Sequence, residues 1–303
     1  MQRFKNNAIY AVVRAAYALL LRLPLGWISG LGSALGVLAY AVAARERRRA
    51  MDNLSRAYPL LSHATRAALV RRMWIDMARS LLEMVTAARL SREELSQRVE
   101  LSARARQVLA TALGEGRGVL FASAHYGNWE LLAARVAADV DVSVSVLAKP
   151  SYDERLTAMI ERMRAALGVH DIWVDRPSHL RRALGALRGG AIVGVLVDQP
   201  VRGAPGVPFF GERAPTSRML DVLARLSGAA VVCGFIRRQG QRHVIDIELL
   251  ARDDTATFSQ RTTATVEQAV RRAPTQWAWS LDRWRSDKAQ IVSRVDGPLV
   301  SEK

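Results

Sequence analysis

Cysteine is the residue that this sequence has least of. Cys233 is the only one in 303 residues, so no intrachain disulfide can form. It lies in the apolar run 229–236, where we expect a buried, small hydrophobic side chain. The five histidines are scattered along the chain, and none is grouped with the cysteine at the spacing of a metal site.

Acidic residues and lysines are also scarce. The chain has 44 basic and 28 acidic residues, a formal net charge of +16. Only four of the basic residues are lysines, and arginine suits bidentate contacts to phosphate, although codon bias in a GC-rich genome would produce the same preference. A basic surface fits nucleic acid, anionic lipid headgroups or an acidic carrier protein, and charge alone does not choose among them.

Charge is absent from one stretch near the N-terminus. Residues 23–44 carry none, and as a helix they are long enough to cross a hydrocarbon core. Basic residues flank both ends, which favours a hairpin or an in-plane membrane anchor over a simple span. Helices that pack onto a soluble domain are the alternative. Gly26, Gly30, Gly32 and Gly36 form two small-x3-small pairs suited to close helix packing.

The rest of the chain alternates between helical and strand-like patterns. Helical patterns at 62–101 and 102–113 come first. The predicted strands that follow the central one described below are 142–147, 171–174, 191–197, 229–236 and 244–249, and the predicted helices are 153–167, 177–188, 216–227 and 259–273. This order predicts an α/β fold, with a largely parallel or mixed central sheet flanked by helices and an N-terminal helical membrane-anchoring segment.

The central stretch, residues 118–136, reads as a buried strand, a tight turn and a helix. His125 ends the strand, Gly127 gives the turn its freedom, and Asn128 as N-cap places Glu130 in the first helical turn. We predict that Glu130 holds His125, which takes a proton from an attacking hydroxyl. No serine or cysteine nucleophile motif accompanies the pair, so the hydroxyl belongs to the substrate. The alternative is a histidine that only ends a strand and a glutamate that only decorates a helix start.

A second polar pair, Asp198 and Gln199, follows the predicted strand 191–197. Ligands bind at the carboxyl ends of parallel strands, and His125 also lies at such an end. The run that follows contains glycines, prolines and paired phenylalanines, and we predict a loop with an apolar rim for an acyl chain or a headgroup. The alternative is a structural turn whose phenylalanines join the core. The predicted substrate-binding residues here are Asp198, Gln199, Phe209, Phe210 and Gly211.

Three blocks together resemble the late acyltransferases of bacterial lipid A biosynthesis, a branch of the lysophospholipid acyltransferase superfamily. Residues 123–130 read Ser-Ala-His-Tyr-Gly-Asn-Trp-Glu, with a His-x4-Glu motif, and residues 197–200 and 206–216 match the downstream motif. Residues 48–59 match near the N-terminus. Arg164 stands where family members carry an arginine and would grip a phosphate; a solvated helix face is the alternative. Leu281 departs from the pattern, because many members have a histidine there.

The resemblance implies a membrane-associated O-acyltransferase without a metal or an organic cofactor. His125, with Glu130, would activate a hydroxyl of a lipid A precursor, and N–H groups near Gly127 and Asn128 would stabilise the oxyanion. The acyl donor would be a thioester on acyl carrier protein, or less commonly on coenzyme A. The enzyme would sit in the inner membrane with its catalytic domain on the cytoplasmic face. Residues 1–60 would be the membrane-association segment and 61–303 the acyltransferase domain, with a helical lead-in at 61–113 and the α/β core at 114–303.

Other functions fit parts of the same sequence. Family relatives act in other lipid or polyene-pigment pathways, so an acceptor from one of those pathways is an alternative to a lipid A precursor. A non-catalytic, basic membrane protein that binds lipid or nucleic acid is a further alternative. The arginines are spread along the chain and no nucleic-acid-binding motif is present, so we expect no nucleic-acid partner. Acyl chain length and oligomeric state do not follow from the sequence.

Overall fold

The structure is a computed structural model that describes residues 2–252 and 256–285. At its centre is a seven-stranded sheet. Its strand order is β1-β9-β8-β2-β5-β3-β4. Neighbouring strands are parallel except β8 and β9, which are antiparallel. The strands are β1 (Val99–Leu101), β2 (Val119–Ser123), β3 (Val144–Ala148), β4 (Val169–Trp173), β5 (Ile192–Leu196), β8 (Ala230–Gln239) and β9 (Arg242–Leu250), and a separate hairpin consists of β6 (Gly206–Phe209) and β7 (Glu212–Pro215). The predicted α/β fold with a mostly parallel sheet is confirmed.

Helices flank the sheet and precede it. They are α1 (Gln2–Leu20), α2 (Leu25–Val42), α3 (Ala44–Ala57), α4 (His63–Ala87), α5 (Arg92–Arg98), α6 (Ala103–Gly114), α7 (Trp129–Asp139), α8 (Glu154–Ala165), α9 (His179–Arg188), α10 (Met219–Ser227) and α11 (Phe258–Arg272). A short 3₁₀ turn, Pro274–Gln276, leads into the last described segment.

Two elements differ from the sequence prediction. Strand β1 lies inside the stretch that was predicted as helical, because three residues are too short to show a strand period. The predicted loop contains the hairpin β6–β7, whose two-residue turn is Phe210-Gly211. Both turn residues have positive φ, 51° and 80°, as the tight hairpin turns that match strand twist require. Gly206 and Pro208 in β6, and Pro215 in β7, obscured the alternating pattern.

The two faces of the sheet carry two hydrophobic clusters, and β2 shows how they divide. Leu120 and Ala122 belong to one cluster, whereas Val119 and Phe121 belong to the other. This alternation is the period of a strand that is covered on both faces. Cys233 is buried in the first cluster, which confirms the prediction of a small hydrophobic side chain there.

Helix α2 packs against α4 through one of the two glycine pairs. A Cβ on Gly32 would lie 2.7 Å from the Cα of Arg79, and one on Gly36 would lie 2.5 Å from the Cα of Ile75. Gly26 and Gly30 instead have no heavy atom within 4 Å of such a Cβ among the described residues. Helix α2 is long and apolar enough to cross a membrane, with a mean hydropathy of 1.6 and 17% of its length buried.

Candidate active site

Sheet register brings two polar side chains together at the carboxyl edge of the sheet. Strands β2 and β5 are adjacent and parallel, and Ser123 is paired with Leu196. His125 and Asp198 each lie two residues beyond that pair, so the two side chains leave the sheet at the same level. Nδ1 of His125 is 2.8 Å from Oδ1 of Asp198, and the backbone N–H of His125 donates to Oδ2 at 2.8 Å.

Asp198 is almost completely enclosed, with 1% of its surface exposed. The indole N–H of Trp277 donates a third hydrogen bond to it at 2.8 Å. Burial by itself raises the pKa of this carboxyl, but His125 and the indole outweigh burial and hold the pKa below its usual value. Asp198 is therefore a carboxylate that accepts from the imidazole.

The acceptor at Nδ1 determines what the other ring nitrogen does. In the neutral imidazole, a carboxylate opposite Nδ1 places the proton on that nitrogen, so Nε2 carries the lone pair. The amide nitrogen of Gln199 lies 3.3 Å from Nε2, as expected for a weak donor to that lone pair. Trp129 packs edge-on against the imidazole, with ring centroids 4.9 Å apart. Asp198 and Trp129 therefore hold the ring, and Nε2 faces the amide of Gln199.

Glu130 does not hold His125 as the sequence suggested. Its two oxygens accept from Arg164 Nε at 2.9 Å and Arg164 Nη2 at 2.6 Å, and Arg164 also bonds to the buried Asp171. Burial disfavours the charged form of Arg164, but these two carboxylates outweigh burial and raise its pKa above the usual value. The physical reason is direction: Glu130 lies on the first turn of α7, whereas His125 is oriented back toward β5.

The turn between His125 and Glu130 has the predicted glycine and the predicted N-cap, but the N–H of Gly127 is not available to an oxyanion. Gly127 has a φ of +61°, and a Cβ there would lie 1.9 Å from the carbonyl oxygen of Ile236, so only glycine fits. Its N–H donates to the carbonyl of Gln276 at 2.8 Å, which removes it as an oxyanion donor. The side chain of Asn128 accepts from the Leu131 N–H at 3.2 Å, and its predicted N-cap role is confirmed.

An apolar cavity of about 490 Å³ opens beside His125. It lies between α7 and one face of β2, β5 and β3. Gly194 of β5 is paired with Phe121 of β2 on one side and with Val146 of β3 on the other. Because glycine has no side chain, a groove remains between these two larger neighbours. His125, Glu130, Lys149, Arg164 and Gln199 also line the cavity, which gives an apolar cavity a polar and basic part.

Phe209 and Phe210 lie in the core. The prediction that they form the apolar rim of a substrate-binding loop is therefore wrong. Phe209 is fully buried and Phe210 is 7% exposed. They pack with Trp277, Trp279 and Trp284 at centroid distances of 5.3 to 5.9 Å. Gly211 follows in the hairpin turn. The contact between this hairpin and the C-terminal tryptophans joins segments that are far apart in the sequence, so a local sequence pattern does not predict it.

A buried polar network lies under the N-cap of α7 and was not predicted from the sequence. Glu83 accepts from both terminal nitrogens of Arg238 at 2.6 Å and lies 3.1 Å from Nε2 of His243. Burial works against its charge, but these partners outweigh it and lower the pKa of Glu83 to about 2. The amide of Asn128 also donates to Glu83 at 3.2 Å. The signal available in the sequence was Glu83 itself, a carboxylate beside the apolar stripe of α4.

A histidine base held by a buried aspartate, beside an apolar cavity at the carboxyl edge of a parallel sheet, characterises an α/β enzyme that can take a proton from a substrate hydroxyl. The family described as bacterial lipid A biosynthesis acyltransferase matches residues 3–286, nearly the whole chain. The chain therefore belongs to that family, and the resemblance seen in the sequence is confirmed. A search of curated proteins finds no match to this chain.

Proposed function

We propose that this protein transfers a fatty acyl chain from a thioester of acyl carrier protein to a hydroxyl group of a lipid A precursor. Membership of the family makes it an acyltransferase of lipid A biosynthesis; the donor, the acceptor and the catalytic residues are our proposal. The observation that carries it is the contact of His125 with Asp198 beside the apolar cavity.

His125 is the general base. Nε2 takes the proton of the acceptor hydroxyl, the oxygen attacks the thioester carbonyl, and Asp198 stabilises the imidazolium that forms. The tetrahedral intermediate collapses with cleavage of the C–S bond, and His125 returns the proton to the departing thiolate. The ester and the free thiol account for every atom and proton of the substrates. Gln199, which contacts Nε2, is displaced by the hydroxyl.

The apolar cavity receives the acyl chain. The groove at Gly194 lies between β2 and β3, and burial of each methylene there favours binding by about 0.8 kcal/mol. Lys149 and Arg164 add positive charge to the lining, which suits a phosphate on either substrate. Acyl carrier proteins are acidic, and a net charge of +16 speeds their encounter with the enzyme.

Glu130 is proposed to act through Arg164. The bidentate pair links the first turn of α7 to α8, and so fixes the guanidinium at the cavity. Its part in the reaction is to position a cation near the substrates, while Asp198 takes the place at the imidazole that the sequence had suggested for Glu130.

The proposed location is the cytoplasmic face of the inner membrane, where acyl carrier protein is available. Residues 1–60 form the proposed membrane-association segment, and residues 61–303 the acyltransferase domain. The support for the first is the apolar helix α2, in which half of the residues are exposed; Trp27, Leu38 and Val42 are at least half accessible.

The experiment is to incubate the full chain with labelled acyl carrier protein and bacterial lipid extract, and to determine the mass of any labelled lipid. The wild-type protein is expected to label one hydroxyl-bearing lipid, and His125→Ala to label none. Asp175→Asn, an exposed carboxylate, serves as a matched control. Equal labelling by wild type and His125→Ala would contradict the mechanism, and transfer from coenzyme A alone would contradict the donor.

A further inference from the structure

A second cavity, separate from the His125 site, lies between α3 and the segment 282–285. It has a volume of about 530 Å³. Seven of its ten lining residues are charged, five arginines and two aspartates, a formal excess of three positive charges. The arginines are Arg45, Arg48, Arg49, Arg56 and Arg285, and the aspartates are Asp52 and Asp282.

Helix α3 gathers this charge on one face. Positions 45, 48, 49, 52 and 56 are spaced by three and four residues, so their side chains project in the same direction. The opposite face of α3 is apolar: Ala50, Leu54 and Ala57 are buried. The buried face packs into the core, whereas the arginines on the cavity face lie close together and repel one another. A bound anion would relieve that repulsion.

Carboxylates within the protein neutralise this cluster only in part. Arg56 lies 3.5 Å from Glu212, and Arg285 lies 3.9 Å from Asp282. Within residues 2–252 and 256–285, neither Arg45 nor Arg48 has a carboxylate within ion-pair distance, and both are exposed. Two guanidinium groups, each able to donate in a bidentate fork, are therefore available at the cavity.

The position of the cavity relates it to the exposed apolar helix. Ala43 is both the C-cap of α2 and the N-cap of α3, so the arginine face begins where the apolar helix ends. Val42, the last residue of α2, is 71% exposed, and Leu38 is 57% exposed. An apolar surface that ends in a basic cavity has the layout of a bilayer contact, with hydrocarbon on one side and phosphates on the other.

We propose that this cavity binds the phosphate of an anionic lipid headgroup at the membrane surface. Arg45 and Arg48 hold the phosphate, and Ala44 contributes the N-terminus of the fourteen-residue helix α3, whose dipole favours an anion. Two features favour lipid over an acidic protein. The cavity is concave and takes a compact group, and it lies directly beside an exposed apolar helix end. This binding is independent of acyl transfer.

The test measures binding of the full chain to vesicles of phosphatidylcholine, with and without phosphatidic acid. The variant Arg45→Gln/Arg48→Gln removes two exposed guanidiniums. Its matched control, Arg92→Gln/Arg98→Gln on α5, removes two exposed arginines elsewhere. We expect the first variant to bind phosphatidic acid vesicles about 30-fold more weakly than wild type, and the control to bind within about twofold. Binding to pure phosphatidylcholine should not change.

Three results would overturn the proposal. Equal losses in both double variants would mean that total charge, and not the cavity, determines binding. An unchanged vesicle affinity combined with lost affinity for acyl carrier protein would make the cavity a carrier-protein site. Binding of inorganic phosphate that is lost in Arg45→Gln/Arg48→Gln, together with an unchanged affinity of that variant for phosphatidic acid vesicles, would make it a site for free phosphate and not for lipid. Because no readout depends on catalysis, failure here is distinguishable from failure of the acyl-transfer proposal.

Discussion

Replacing Asp198 with asparagine is the sharpest perturbation of the site, because it preserves shape and reverses one hydrogen bond. An asparagine oxygen at the Oδ2 position still accepts from the His125 backbone N–H and from Trp277. The amide nitrogen then occupies the Oδ1 position and donates to Nδ1 of His125. The ring proton moves to Nε2, which is the nitrogen that must act as the base.

The magnitude follows from the two interactions lost. Restoring the active tautomer would set two N–H donors against each other in a buried place, at a cost of about 1–3 kcal/mol. The imidazolium also loses a hydrogen bond to a charged group, about 1.5–3 kcal/mol. Together these predict a rate lower by about 10²- to 10⁴-fold.

The assay compares initial rates of acyl transfer by wild type, Asp198→Asn and Glu130→Gln. Glu130→Gln is the informative comparison, because it tests the partner that the His-x4-Glu motif suggests. We expect Asp198→Asn to lower kcat, and Glu130→Gln to lower activity less, since it weakens only the anchor of Arg164. Equal melting temperatures would exclude unfolding. The reasoning is refuted if Asp198→Asn stays within about threefold of wild type while Glu130→Gln loses activity.

Three further predictions concern stability and specificity. Glu83→Gln should lower the free energy of unfolding near pH 7 by about 3 kcal/mol, because the pKa of Glu83 is depressed to about 2 in the folded protein. In urea unfolding, the difference in stability between this variant and wild type should shrink as pH falls below about 4.5. A difference that stays constant with pH would contradict this prediction. Gly194→Val should fill the groove and lower kcat/KM for the longest acyl chains by about tenfold. The measurement uses acyl carrier protein loaded with acyl chains of increasing length. An unchanged preference for acyl chain length would mean that the acyl chain binds elsewhere. Gly127→Ala, whose Cβ would meet the Ile236 carbonyl at 1.9 Å, should reduce soluble yield and melting temperature, whereas Gly185→Ala, in open space, should not.

The strand, turn and helix around His125 were predictable because their signals are local. The apolar run of β2, the glycine of the turn and the Asn128 cap all lie within ten residues, and each acts on its immediate neighbours. Periodicity also located the later strands to within a few residues.

The partner of His125 was not predictable in this way. The sequence places both His125 and Asp198 at strand ends, but it does not state that β2 and β5 are neighbours. Once the strand order is known, the shared register two residues past Ser123 and Leu196 brings them together. The nearer carboxylate, Glu130, was favoured because it is close in sequence, whereas the geometry of the turn separates it from the imidazole.

Long-range burial explains the remaining errors. Phe209 resembled a rim residue because its strand is interrupted by Pro208 and its aromatic neighbours come from the C-terminal segment. Trp277 contacts Asp198 across 79 positions of sequence, so no local pattern relates them. In each case the missing information was which distant surface covers the side chain.

The most direct test of the central claim is the single-turnover rate of acyl transfer to a purified lipid A precursor from labelled acyl carrier protein. If His125 removes the proton of the acceptor hydroxyl, wild type forms the ester, His125→Ala is slower by about 10²- to 10⁴-fold, and an acceptor that lacks the hydroxyl gives no product. Transfer by His125→Ala at the wild-type rate, with the same acceptor, would contradict the account.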